Sequence, residues 1–144
     1  MIFRRATSAD GQALLPMIQD HAAYERGVAV LSQDVMDDLL GQADPPVHLF
    51  VAEINALVGY AAMTYDYALW QGTRTGQLDC LFVAEDYRGR GIGGCLLHLC
   101  AQTAKEAGAA WLEWQTPRWN VYAINFYLRH GAKTLDKERF RFVL

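Results

Sequence analysis

The sequence has no basic excess, no paired-cysteine spacing, no clustered histidines and no long apolar run. Its 13 Lys and Arg stand against 16 Asp and Glu, a formal net charge of −3. A face that grips a phosphate backbone needs surplus positive charge, so nucleic acid is not expected as a partner. A cationic substrate or an intracellular protein partner suits that sign better. The cysteines Cys80, Cys95 and Cys100 cannot all pair with one another and form no CxxC. Buried, reduced thiols acting as small apolar groups are the expectation. His21, His48, His98 and His130 lie far apart, without HxH or HExxH spacing, so no metal is expected. "MIFRRATSAD" lacks the apolar core of an export signal, and no uncharged apolar run approaches the ~18 residues of a membrane span. The expectation is a soluble, cytoplasmic protein with no membrane partner.

What is present is an ordinary globular composition, 52% apolar and 20% charged over 144 residues. That supports a single domain spanning 1–144, large enough to hold a core without staples. No repeat, low-complexity tract or linker divides it. "IFRRA" reads as a strand. A helix follows, with N-cap candidates Thr7, Ser8 and Asp10 and apolar positions Leu14, Met17, Ile18 and Ala22 at helical spacing. "SQDVMDDLLG" is a second helix that Ser32 can cap. "HLFVAEI" and "LVGYAAMTY" flank Asn55-Ala56 as a hairpin, and "TGQLDCLFV" is a further strand. The spacing predicts a helix from about Gly91 to Ala107 with Leu96, Leu99, Cys100, Thr103 and Ala107 on one face. "AWLEWQ" then reads as a strand, "NVYAINFYLRHG" as a helix, and "RFRFVL" as a terminal strand. The order predicts a mixed α/β (α+β) fold, one sheet with helices packed on it.

The densest signal is "YRGRGIGG" at 87–94, where four glycines and two arginines sit between a strand and a helix. Gly89-x-Gly91-x-x-Gly94 satisfies the dinucleotide fingerprint, and Glu113 stands about 20 residues on, as that motif wants. Context tells against it. "AEDYR" intervenes between the strand and Gly89, and only about 50 residues follow Gly94, too few for the rest of such a sheet. No GK[ST] follows, which excludes a P-loop. What remains is a loop whose backbone N–H groups and helix N-terminus face an anion, flanked by Arg88 and Arg90. A pyrophosphate held there, with a thiol arm running along the strand, describes coenzyme A.

"YRGRGIG" resembles the R/Q-x-x-G-x-G/A acyl-CoA loop of the GNAT superfamily of N-acetyltransferases, with Arg88, Gly91 and Gly93 at its defining positions. "AAYERG", "LDCLFV" and "WNVYAINFYLRHGA" resemble the spermidine/spermine branch, with its diamine and thialysine acetylases, over almost the whole chain. The resemblance implies the GNAT fold: a single mixed, largely antiparallel sheet of six to seven strands with a central splay, helices on both faces, in a homodimer. It implies acetyl-CoA as cosubstrate, without a metal, held by Leu81, Phe82, Val83, Arg88, Gly89, Arg90, Gly91, Ile92, Gly93, Gly94, Asn120, Ala123 and Tyr127. Leu81 to Val83 would pair with the pantetheine arm and offer N–H groups to the oxyanion.

Acetyl transfer from a thioester to a primary amine needs a neutral nitrogen, yet with a pKa near ~10.4 only about one alkylamine in 10³ is neutral at pH 7. It also benefits from a proton for the leaving thiolate. Asn120, Ile124 and Tyr127 share one helix face, and a tyrosine hydroxyl can protonate a thiolate at neutral pH. The resemblance makes Tyr127 the general acid; read without it, Tyr127 is more simply a core aromatic. Strict alternation in "LDCLFVA" puts Asp79 on the side of Leu81 and Val83, a buried carboxylate suited to act as base. Related enzymes resemble "LEDFFV" there, with Glu at the place of Asp79 and Asp at that of Cys80. Tyr24, Glu25, Asp79, Glu113, Trp114, Gln115 and Glu138 carry over as amine-binding positions. Tyr65, Tyr67, Trp70, Trp114 and Trp119 add aromatic faces that suit a cation or a dimer interface equally. Cys80 has no His partner in the sequence, so direct transfer in a ternary complex is expected over an acyl-enzyme. A non-catalytic acyl-CoA sensor and a protein or peptide N-acetylase stay open as alternatives.

Overall fold

Hydrogen-bonding groups of the alternating apolar segments find partners in one sheet of five strands in the computed structural model, which describes all 144 residues. In chain order the elements are β1 (Ile2–Arg5), α1 (Gly11–Tyr24), α2 (Gln33–Gly41), β2 (His48–Ile54), β3 (Ala56–Ala68), β4 (Thr73–Val83), α3 (Ile92–Glu106), β5 (Leu112–Trp114) and α4 (Val121–Arg129). The sheet order is β1-β2-β3-β4-β5. The first four strands run antiparallel and β5 joins β4 parallel, a pairing that needs a crossover and finds it in α3. Asn55, at φ 62°, makes the tight turn between β2 and β3. Ser32 and Asn120 cap α2 and α4 through their side chains, accepting from the amides of Val35 and Ala123. No helix is long and apolar enough to cross a membrane.

Side chains alternating along the strands build a core on each face of the sheet. Phe50 and Ala52 of β2 pack with Ile92, Leu96, Leu97 and Cys100 of α3. Leu49 and Val51 pack the other way, with Leu14 of α1 and Met36 of α2. Helices therefore cover both faces, as the resemblance implies. The buried stripe of α3 is Ile92, Leu96, Leu97, Cys100 and Ala104, while Leu99, Thr103 and Ala107 are only half-buried. The helix is thus turned slightly from the face that spacing alone assigns.

The terminal strand does not form. Residues 132–144 have no helix or strand, and Phe140 and Phe142 are each 91% exposed. The count of strands is five instead of six to seven. β5 supplies an edge of only three residues, and an isolated strand without a neighbour leaves its N–H and C=O groups unpaired.

β4 and β5 pair only where Gly76–Leu78 face Leu112–Trp114. Beyond Leu78 the outer edge of β4 has no strand neighbour, and the sheet opens there into a cleft.

Arg4 ties the start of the chain to this frame. Its guanidinium grips both oxygens of Asp10, at 2.7 and 2.8 Å, and reaches Glu53 of β2 at 2.8 Å. The Asp10 carboxylate also accepts from the Thr7 amide at 2.7 Å. Hydrogen bonds from Arg4 hold the Asp10 carboxyl at about 2, well below the ordinary carboxylate range. Asp10→Ala should cost about 2–3 kcal/mol, because a buried charge-assisted pair loses one partner. Because the folded value is depressed, this stabilisation is complete above pH ~4 and is lost as pH falls towards about 2. Thermal unfolding from pH 2 to 6 should show a shallower acid decline in Asp10→Asn than in the native chain.

Candidate active site

The cleft has a volume of about 290 Å³. β4 from Leu78 to Val83 forms one wall and α4 the other; the 87–94 loop and the last turn of α1 also line it, meeting where Arg88 lies over the Tyr24 ring.

Gly89 and Gly91 adopt φ of 74° and 79°, left-handed values that side chains rarely tolerate. A Cβ on either would meet nothing within 4 Å, so these glycines serve backbone conformation and face open space. Gly91 is the N-cap of α3, and its carbonyl accepts from the Cys95 amide. The amides of Ile92, Gly93 and Gly94 are therefore the orphan donors of a helix N-terminus, an arrangement made for an anion. The two arginines behave differently. Arg88 donates from Nε to the Val83 carbonyl at 2.9 Å and lies over the Tyr24 ring at 4.9 Å, lining the cleft. Arg90 bonds the Asp86 carbonyl at 2.9 Å on the exposed surface and does not line it.

Asn120, Ala123 and Tyr127 present α4 to the cleft, opposite Leu81, Phe82 and Val83 of β4. The Tyr127 ring packs 5.0 Å from Trp114 and 5.2 Å from Phe126. Burial pushes its hydroxyl up to about 12, so it stays protonated and can donate.

Asp79 departs from the alternation. Ala62 pairs with Cys80 and Met63 with Leu78, so a β-bulge leaves Asp79 as the extra residue. Leu78, not Asp79, joins Leu81 and Val83 in the core beneath α3. The expectation of a buried carboxylate is overturned: Asp79 lines the cleft but is exposed, with its Oδ2 accepting from the Cys80 thiol at 3.5 Å.

Of the remaining amine-binding candidates, Tyr24, Glu25, Trp114 and Gln115 line the cleft. Glu113 does not; it accepts from Gln77 and from the Trp111 indole, each at 3.0 Å, within the sheet. Glu138 lies in the exposed terminal segment. Of Tyr65, Tyr67, Trp70, Trp114 and Trp119, only Trp114 reaches the cleft: Trp70 is 96% exposed at the β3–β4 turn, and Trp119 lies under the Arg26 guanidinium at 4.0 Å.

Sequence reasoning missed Phe126 and His130, which extend the face of Ala123 and Tyr127 at helical spacing, and it missed Arg129. It also missed His21. The signal was there: His21 follows Leu14, Met17 and Ile18 on the apolar face of α1 and precedes Glu25 by one turn.

Cys80 tests the electrostatics. Burial first, and Asp79 second, push its thiol up to about 12, and burial does the same to Cys100. Cys95 is exposed. A disulfide reagent at pH 8 should therefore titrate Cys95 quickly and Cys80 roughly 10²-fold or more slowly; equal rates would contradict the burial described.

A family model of the acetyltransferase (GNAT) family matches residues 13–132. Thialysine N-epsilon-acetyltransferase of Sus scrofa is 29% identical over 149 residues, covering 95% of this chain and 86% of that protein. Aminoalkylphosphonate N-acetyltransferase of Salmonella typhimurium is 30% identical over 140 residues, covering 96% and 87%. The crystal structure of ribosomal-protein-alanine N-acetyltransferase from Brucella melitensis superposes with a TM-score of 0.78 at 21% identity, over 99% and 98% of the two chains. That likeness bears on the fold alone, whereas the match over most of the chain bears on descent. With its glycine loop and divided sheet, this chain belongs to the acetyltransferase (GNAT) family and is an N-acetyltransferase, with acetyl-CoA the cosubstrate that the family implies.

Proposed function

We propose that the chain acetylates a small primary amine of the diamine, polyamine or lysine-analogue kind, by direct transfer from acetyl-CoA in a ternary complex. One observation carries the reading: a single cleft joins a glycine loop at a helix N-terminus, a protonated Tyr127 and the carboxylates of Glu25 and Asp79. Relatives named for thialysine, L-ornithine and aminoalkylphosphonate acetylation support an amine of that size.

The donor set fits the cosubstrate. Orphan amides at Ile92 to Gly94 and the Arg88 guanidinium would hold its diphosphate. The unpaired outer edge of β4 from Leu81 to Val83 would hydrogen-bond the pantetheine arm as an added strand, and Ala123 leaves room for it on α4. Asn120, whose Oδ1 caps α4, keeps that helix at the cleft. Acetyl-CoA supplies the activated acyl group. Amides of the β4 edge would stabilise the negative charge on its carbonyl oxygen, and Tyr127 would give its proton to the departing sulfur. Glu25 and Asp79 would draw a cationic amine into the cleft, with Tyr24, Trp114 and Gln115 about its chain. The high thiol pKa of Cys80 supports direct transfer over an acyl-enzyme. A homodimer belongs to the same reading, supported by the uncovered Phe140 and Phe142.

Acetyl-CoA turnover against diamines, polyamines, lysine analogues and aminophosphonates in parallel tests the proposal; at least one amine should be acetylated. Tyr127→Phe should lower kcat by about 10²- to 10⁴-fold while acetyl-CoA binding stays within about 2-fold. Gly91→Val, strained at φ 79°, should weaken acetyl-CoA binding instead. Binding of acetyl-CoA with no amine acetylated would point to a sensor and overturn the assignment.

A further inference from the structure

Helix α1 ends in a Schellman motif with an unusual occupant. The Gly27 amide donates to the Ala22 carbonyl at 2.8 Å, and the Arg26 amide to the Ala23 carbonyl at 3.0 Å. The residue in the left-handed position is Arg26, at φ 63°, and Gly27 comes one place too late to take it. Glycine is the usual occupant and asparagine the next, because a Cβ strains that conformation. An arginine there points to a use for its side chain.

The left-handed turn parts two adjacent charges. Glu25 lines the cleft, with Oε1 3.7 Å from His21 Nε2. The Arg26 guanidinium instead lies over the Trp119 ring at 4.0 Å. That ring stands 6.5 Å from Tyr24, which does line the cleft. Tyr24 and Trp119 are 41% and 40% exposed, so the stack is open to solvent at the cleft mouth. Stacking occupies a face of the guanidinium and leaves its N–H edge available. Arg26 makes no ion pair, with Glu25 or with any other carboxylate. Arg88, by contrast, has its Nε committed to the Val83 carbonyl.

We propose that Arg26 receives an anionic group carried by the acceptor, so that the substrate is an amine with a carboxylate or phosphonate beyond its methylene chain, and not a diamine or polyamine. This rests on the N-acetyltransferase reading and narrows its substrate class.

The charges set the order. Glu25 and Asp79 line the cleft and suit an ammonium, while Arg26 stands one ring outside it. A molecule with its cation inside and its anion at the mouth meets an opposite charge at each end. A polyamine would bring a second ammonium up to the guanidinium, and such a like-charge contact discriminates against it. A planar guanidinium matches carboxylate and phosphonate oxygens through paired N–H bonds. A cation placed only to complement the negative end of α1 would need no left-handed turn, since any position in the last turn serves.

The test compares substrates that differ only in the anion: lysine and ornithine against the diamines left when their carboxylates are removed, and an aminoalkylphosphonate against the matching alkylamine. Native kcat/KM should favour the anionic member of at least one pair by about 10-fold or more. Whichever pair responds tells carboxylate from phosphonate. Arg26→Glu should reverse the preference, lowering kcat/KM for the anionic amine about 10²-fold through KM and raising it for the diamine. Loss of a structural contact would lower both. Arg26→Gly relieves the strain at φ 63° and should abolish the preference without lowering Tm. Equal kcat/KM within every pair, or an unchanged preference in Arg26→Glu, would overturn the proposal while leaving acetyl transfer intact. So would Arg26→Gly with a lowered Tm and the native preference. A native protein that acetylates no amine would instead remove the reading on which the proposal rests. Calorimetric binding of lysine and of its diamine, with coenzyme A present, would still judge Arg26.

Discussion

Parallel pairing between β4 and β5 lasts for three residues and then stops, and the site exists because it stops. A sheet edge wants a partner, since each unpaired N–H and C=O forfeits a hydrogen bond. From Asp79 to Val83 the outer edge of β4 has no strand partner in the chain, while β5 has ended and Pro117, without an N–H, lies just beyond it. Helix α4 stands across the gap, set by the Asn120 cap, and the glycine loop closes one end of it. An extended thioester arm is the kind of ligand that such an edge accepts, with main-chain groups giving affinity regardless of side chains.

The second constraint is dielectric. Tyr127, Cys80 and Tyr60 are each pushed upward by burial and remain protonated, and His21 is pushed downward and remains neutral. Burial thus strips the inner wall of charge, leaving hydrogen-bond donors and one acceptor. Charge is kept at its rim, where Arg88 of the loop lies over Tyr24 at the end of α1, and where Glu25 and Asp79 also line the cleft.

The β-bulge shows why local pattern misleads at such a site. Strict alternation buries Asp79 with Leu81 and Val83, and one additional residue in β4 exchanges it for Leu78. Bulges re-aim side chains next to functional clefts, and no composition marks this one, because Leu-Asp-Cys-Leu is consistent with either register. The terminal segment fails for a related reason. Its alternation of Arg and Phe is a strand pattern, but a pattern supplies no neighbour. Glu113 likewise carries the right chemistry on the wrong side of the sheet.

The sequence by itself determined the loop, the Ser32 cap of α2 and, to within a slight rotation of α3, the helical faces, since each depends on residues within a few positions of one another. Only glycine takes the φ of Gly89 and Gly91 at little cost, and only a side chain such as that of Asn120 can satisfy the amide of Ala123. Tertiary structure alone decided which carboxylates meet, how Asp79 turns, and that His21 of the first helix lies against Tyr60 and Phe82 of the sheet. Those contacts join residues 39 or more positions apart, where geometry is set by how the layers pack and not by the chain between them.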